Sequence, residues 1–238
     1  IDPLWLLKYL PNMLACHISI LNDCQGPSNS ITEAEAASNL ALSEAARIIA
    51  RNRADIMITG GADSKIHPLS LVRMKLLDVM SSGDPEPARA CKPFDRRRDG
   101  WVPGEGAGIL VIEALDHAEK RGATIYGEVL GFGSGADANP SGGLDPEGRG
   151  TEIAMRAALR DAGLEPSAIG HVNAHGAATR ASDYAEARAI HRVFGPGKSV
   201  SVTALKGYFG NLVSGCGAVE LVGSLLGIRH GLIPPTLN

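Results

Sequence analysis

The amino-acid sequence predicts a layered α/β fold. Three observations carry that prediction: helical and strand patterns alternate along the chain, two of the helices are built from small residues, and glycine is abundant where aromatic side chains are scarce. With 29 glycines against an aromatic content of 4%, the chain favours close backbone approach over large aromatic plugs, which suits stacked helices and sheets better than a sandwich. Its 238 residues, 44% of them hydrophobic, suffice for a substantial core in one large or two small domains.

Taken in order, residues 36–51 place Ala37, Leu40, Ala41, Ala45, Ile48 and Ile49 at helical spacing, and side chains this small let a helix lie deep between sheets. Residues 54–59, ADIMIT, read as a short buried strand that ends in a turn at Gly60-Gly61. A polar, proline-bearing stretch covers 81–93. Residues 104–113, GEGAGILVIE, then read as a strand pair, and DHAEKRG as a helix ending at Gly122, where a structural break is expected. The second half follows the same alternation, with a strand at 125–131, a glycine-rich loop to Gly150, and a helix over 151–162 stopped by Gly163. A strand at 169–174, a helix at 183–193, a strand at 200–203 and a second small-residue helix from about 215 to 227 complete it. The halves, 1–122 and 123–238, look like related α/β units.

Several function classes are disfavoured. A formal net charge of −3 gives no electrostatic reason to expect nucleic acid or an anionic membrane as partner. Cys16, Cys24, Cys91 and Cys216 are scattered without a CxxC, so neither a zinc site nor a disulfide framework is expected, and a reducing cytoplasm fits. Apolar stretches such as 108–112 fall far short of the roughly 20 residues that span a bilayer. The chain opens on Ile1 with no signal-peptide pattern and reads as an internal fragment. The clusters GEGAG at 104–108 and GFGSG at 131–135 lack the spacing of a dinucleotide fingerprint, and neither a phosphate loop nor a GxSxG elbow is present. On a strand, His171 and His175 would stand about 13 Å apart, too far for one metal. The run Arg96 to Arg98 reads as a solvated loop, with the docking of an acidic protein as the alternative.

Four segments carry more information: GPSNSITEAEAAS at 26–38, FDRRRDGWVPGEGAG at 94–108, VNAHGAATRASD at 172–183 and LKGYFGNLVSGCGAVE at 205–220. In order and spacing they resemble the elongating β-ketoacyl-acyl-carrier-protein synthases, the synthase I/II-like condensing enzymes of the thiolase-like superfamily. The resemblance runs from about Pro3 to the terminal IPPTLN. It implies a thiolase-like layered αβαβα fold with two similar halves: 1–122 as the later part of the N-terminal half, and 123–238 as most of the C-terminal half. The first third and the last part of the full enzyme would lie outside this chain.

The reaction implied is decarboxylative Claisen condensation of an acyl thioester with malonyl carrier protein. A cysteine at a strand-to-helix turn, its thiolate favoured by the helix N-terminus, accepts the acyl chain, and two histidines polarise the malonyl thioester carbonyl. The resemblance places Glu35 at the nucleophile position, retains the first histidine as His175, and puts Asn211 at the second, as in the Cys-His-Asn arrangement of initiating synthases. Thr179 is the retained pantetheine-binding threonine, while Ala177 and Arg180 replace the other threonine and a proline. Lys206 and Glu220 match a supporting charge pair, and Asp183 and Glu186 match supporting acidic positions.

A carboxylate is electrostatically comfortable at a helix N-terminus, so Glu35 could simply fill the vacated site. The leading expectation is therefore a degenerate synthase resembling a chain-length-factor partner subunit. The alternatives are a malonyl-thioester decarboxylase using His175 and Asn211, or a still-active ketoacyl synthase. Implied partners are an acyl carrier protein and either a second copy or an active ketosynthase. No cofactor is expected beyond the phosphopantetheine arriving on the carrier, and the setting expected is cytoplasmic.

Overall fold

The computed structural model describes residues 4–77, 79–140, 143–196 and 200–238. After a 3₁₀ turn at Trp5–Lys8 come a short helix α1 (Met13–Leu21), α2 (Ala37–Ala50), β1 (Ile56–Ser64), α3 (Pro68–Leu76), β2 (Glu105–Glu113) and α4 (Leu115–Lys120). Then come α5 (Arg149–Ala162), β3 (His171–Ala174), α6 (Arg180–Phe194), β4 (Ser201–Ala204), α7 (Lys206–Phe209) and α8 (Cys216–His230).

Strands β1 and β2 pair antiparallel along their whole length, from Ile56 opposite Glu113 to Ser64 opposite Glu105. Strands β3 and β4 pair in parallel, from His171 opposite Ser201 to Ala174 opposite Ala204. Helices α2 and α8 touch each other; α2 packs on β1, while α8 reaches both β2 and β3 and so lies between the two sheets. Small residues permit this. The buried face of α2 is Ala37, Ser38, Leu42, Ala45 and Ile48, and that of α8 begins Cys216, Gly217, Ala218. On the far side, α5 packs against α6.

Two glycine clusters have packing explanations. Gly60-Gly61 does not end β1, as the sequence suggested; the strand runs through both residues to Ser64. A side chain on Gly61 would strike Ser38 and the carbonyl of Ser214, so glycine here serves close approach rather than a turn. Residues 105–113 of this stretch likewise form one strand rather than two, with β1 as its partner. In GFGSG, Gly131, Gly133 and Gly135 recur every second residue and so share one face of an extended segment. A Cβ on them would meet the α5 backbone at Ala158 and Ala162, at Ala154 and Ala158, and at Gly150 and Ala154 respectively. The period of two on the segment meets the period of about four on the helix. Residues 125–131 take part in no ladder among the described residues, so the expected strand is absent. The stop at Gly163 is present, with φ +66 closing α5 through hydrogen bonds to Arg160 and Leu159 carbonyls. No helix among the described residues is long and apolar enough to cross a membrane.

Candidate active site

Glu35 sits in a single 3₁₀ turn, Ala34–Ala36, that feeds directly into α2. The preceding residue, Ala34, holds φ +42, a left-handed conformation that costs a non-glycine residue of order 1–3 kcal/mol. This elbow places Glu35 just ahead of the α2 N-terminus, where unpaired N–H groups favour negative charge. The helix start is tied across the molecule: Ser38 donates from its hydroxyl to the Ser214 carbonyl in a very short hydrogen bond.

Asn211 follows α7 and is 1% exposed. Its backbone is clamped to the segment leading into β2: its N–H donates to the Val102 carbonyl at 2.7 Å, and its carbonyl accepts from Gly104 N–H at 2.8 Å. Its side-chain Oδ1 accepts from Val213 N–H at 2.8 Å and from the Cys216 thiol at 3.3 Å. Nδ2 donates to Glu35 Oε1 at 3.2 Å.

His175 begins the loop after β3. Glu186 accepts from two consecutive backbone N–H groups, His175 at 2.7 Å and Gly176 at 2.9 Å, which fixes the start of that loop. Lys206, fully buried, donates to the His175 carbonyl at 2.6 Å, to Glu220 Oε1 at 2.6 Å and to His175 Nδ1 at 3.1 Å. A cation cannot accept, so Nδ1 is the acceptor and the ring proton belongs on Nε2. As a residue His175 is half-buried. Burial, reinforced by the Lys206 charge, pushes its pKa down to about 3.

Burial raises the carboxyl groups of Glu186, Glu220 and Asp183 above the ordinary range, against the pull of Gly176 N–H, Lys206 and Phe94 N–H respectively. Asp183 accepts from Phe94 N–H at 2.7 Å and Ala178 N–H at 3.0 Å. Those two residues hold φ +62 and +63, so one carboxylate pins two left-handed turns. Arg98 approaches the same carboxylate at 3.5 Å and donates to the Thr179 and Arg180 carbonyls. The basic run is thus divided: Arg98 ties the loop to α6, while Arg97 pairs with Asp95 at the surface. Thr179 is the N-cap of α6, accepting from Ser182 N–H at 3.1 Å.

The structure therefore joins Glu35 directly to Asn211, and His175 directly to Lys206 and Glu186, with Glu220 reached through Lys206. The two groups are linked by field: the charge of Glu35 contributes to the upward shift of both Glu220 and Cys216. Thr179 stands apart as a helix cap. Sequence reasoning missed Cys216, whose thiol is fully buried and raised to about 11 chiefly by burial. Its signal, a cysteine five residues after Asn211 at the start of a helix, acquires meaning only once the intervening turn is known. Chemically, the site offers two neutral donors, the His175 Nε2–H and the Asn211 amide, and the carboxyl group of Glu35. Among the described residues, the thiol beside Asn211 is that of Cys216, which is enclosed and whose sulfur already accepts from Leu212 N–H at 3.1 Å. Among the described residues no cluster of metal-ligating side chains is present.

Comparison with known proteins matches residues 2–118 to the family model "Beta-ketoacyl synthase, N-terminal domain" and residues 126–238 to "Beta-ketoacyl synthase, C-terminal domain". The chain is 41% identical over 239 residues to 3-oxoacyl-(acyl-carrier-protein) synthase 2 of Coxiella burnetii, covering 100% of this chain and 58% of that protein. It is 38% identical over 242 residues to the mitochondrial 3-oxoacyl-(acyl-carrier-protein) synthase of Arabidopsis thaliana, covering 100% and 52%. The chain thus spans little more than half the length of these relatives. Among solved structures, the ishigamide ketosynthase/chain length factor superposes with a TM-score of 0.91 at 33% identity, covering 100% of this chain and 57% of that one. A type II PKS acyl-carrier protein in complex with its ketosynthase bound to the hexaketide gives 0.85 at 32% identity, covering 91% and 53%. These likenesses establish the thiolase-like α/β fold.

Proposed function

Because the chain belongs to the β-ketoacyl synthase family, we propose that it is a ketosynthase-like subunit of fatty-acid or polyketide biosynthesis that forms no acyl-enzyme. It acts beside an active ketosynthase as a chain-length-factor-like partner and meets the acyl carrier protein, whose phosphopantetheine arm brings the substrate. The observation that carries this reading is the contact between Glu35 and Asn211: at the position the family resemblance assigns to the nucleophile, a carboxylate engages the amide donor that a substrate carbonyl would need. Acyl transfer from a thioester to a carboxylate would give a mixed anhydride, a less stable acyl compound than the thioester itself, so the step runs uphill. The likeness to a ketosynthase/chain length factor supports the partner role.

A second reading is favoured by one observation. His175, held neutral with its proton on Nε2, is a ready donor to a malonyl thioester carbonyl, and decarboxylation needs that donor but no thiol. Intact-protein mass after incubation of the full-length protein with an acyl thioester tests the main reading. Unchanged mass, together with increased condensation when an active ketosynthase is added, is expected; a stoichiometric acyl adduct overturns it. Carbon dioxide release from malonyl carrier protein by the protein alone would select the second reading.

A further inference from the structure

We infer that Cys216 is a positioning residue for Asn211, its thiol helping to fix which edge of the Asn211 carboxamide is presented to Glu35 and to any substrate that replaces it. The inference rests on the site placement used above, but it concerns the geometry of the amide rather than the activity. A carboxamide is nearly symmetrical in shape, so packing alone selects weakly between its two orientations; hydrogen-bond partners decide. Here Oδ1 faces two donors, the backbone N–H of Val213 at 2.8 Å and the Cys216 thiol at 3.3 Å. Leu212 N–H already donates to the Cys216 sulfur at 3.1 Å, so the proton is what the thiol turns towards Asn211. Burial lifts the Cys216 pKa to about 11, which keeps that proton on sulfur across the working pH range. Turned over, the amide NH₂ would meet the Val213 N–H head-on and lose its bond to Glu35.

Both partners of Oδ1 come from the turn that starts α8. Val213 is a β-branched residue at φ +49, and its N–H is directed by that strained backbone. Cys216 is the side-chain member of the pair, fully buried at the first residue of α8. Replacing it by alanine removes one of the two donors and opens a gap the size of a sulfur atom beside the amide. Serine restores a donor.

The test reads the amide itself, so its failure would leave the functional reading standing. The full-length protein is labelled with ¹⁵N-asparagine, and the Asn211 side-chain pair is assigned by its loss in Asn211→Asp. In the wild type the two amide protons should be well separated, one of them shifting in Glu35→Ala. Cys216→Ser should keep the separation, whereas Cys216→Ala should collapse or broaden it. A merely space-filling cysteine predicts that alanine and serine leave the pair alike and unchanged, and that result overturns the inference. If Cys216→Ala does not fold, the S–H stretching band of Cys216, assigned by its loss in Cys216→Ser, decides. Displacement of that band by Asn211→Ala is the expected outcome, and an unmoved band refutes the hydrogen bond.

Discussion

Glu35→Gln tests whether, in the proposed site, the charge of Glu35 is what opposes decarboxylation. Glu35 Oε1 lies 3.2 Å from Asn211 Nδ2, so a malonyl thioester carbonyl reaching that amide would bring its own carboxylate and the developing enolate close to a second negative charge. At a separation of about 5 Å, two unit charges repel by about 0.8 kcal/mol in a water-like medium and about 3 kcal/mol at an effective dielectric constant of 20. Glu35 is half-buried, which places the site between these limits. Removing the charge while keeping the shape should therefore raise decarboxylation by about fourfold to a few hundredfold at neutral pH. The glutamine amide can also donate to the enolate oxygen. The assay is carbon dioxide release from malonyl carrier protein by the full-length protein and its Glu35→Gln variant, with His175→Ala as the background in both. If the glutamine variant stays at that background while folded and still binding carrier, His175 and Asn211 do not hold a thioester, and the partner-subunit role stands alone. A wild type faster than the variant would mean that Glu35 takes part in the chemistry, and the repulsion reasoning fails.

Four further outcomes are expected. His175 stays neutral in the fold down to about pH 3, whereas an unfolded histidine protonates near 6.5, so the unfolded state binds the extra proton and stability falls as pH drops through that window. The raised carboxyl groups have the opposite sign, so the comparison is with His175→Asn: between pH 7 and 5 the wild type should lose up to about 2 kcal/mol more in urea titrations. Lys206→Met should cost about 3–5 kcal/mol by stranding Glu220 in the interior, and the Lys206→Met, Glu220→Gln double variant should recover part of it in the same measurement. Asp183→Ala leaves the N–H groups of Phe94 and Ala178 without their acceptor at two left-handed positions; a loss of about 2–5 kcal/mol should appear as a lower melting temperature. Gly133→Ala should unfold or strongly destabilise the second half, because its Cβ overlaps the α5 backbone at Ala154 and Ala158, whereas Gly163→Ala meets no such obstacle and should cost only the strain of its φ of +66.

The elements that the sequence predicted well are those whose signal is local. The small-residue patterns of α2 and α8 announce helices that other layers approach closely, and Gly163 announces a stop because a helix end is decided by one residue's backbone freedom. The misread elements depend on a partner. Gly60-Gly61 resembles a turn in isolation, and only the approach of Ser38 and Ser214 shows why glycine is required within a strand. Residues 125–131 have strand composition, but a ladder needs a neighbour, which no local pattern supplies. The same division runs through the site. The residues marked by the resemblance, Glu35, His175, Lys206, Asn211 and Glu220, were legible because whole motifs surround them. Cys216 was counted only as one of four scattered thiols, since its bond to Asn211 exists only in the folded turn. Arg96, Arg97 and Arg98 formed one basic run in the sequence, yet the third is half-buried and ties its loop to α6.

Why a carboxylate can stand at the elbow without disturbing the fold follows from which atoms hold the elbow in place. The α2 N-terminus is anchored by Ser38 to the Ser214 carbonyl, and the facing turn by Asn211 backbone bonds to Val102 and Gly104 and by Ser214 N–H to Asp63 at 3.3 Å. None of these uses the side chain of residue 35, which accepts from the Asn211 amide. The His175 loop is held separately, through Glu186, Lys206 and Glu220. Structural support and chemical identity therefore rest on different atoms at this position. On the proposed reading, a change of the residue that would carry the acyl group leaves the family fold standing, and its consequences fall on the Asn211 amide rather than on the packing.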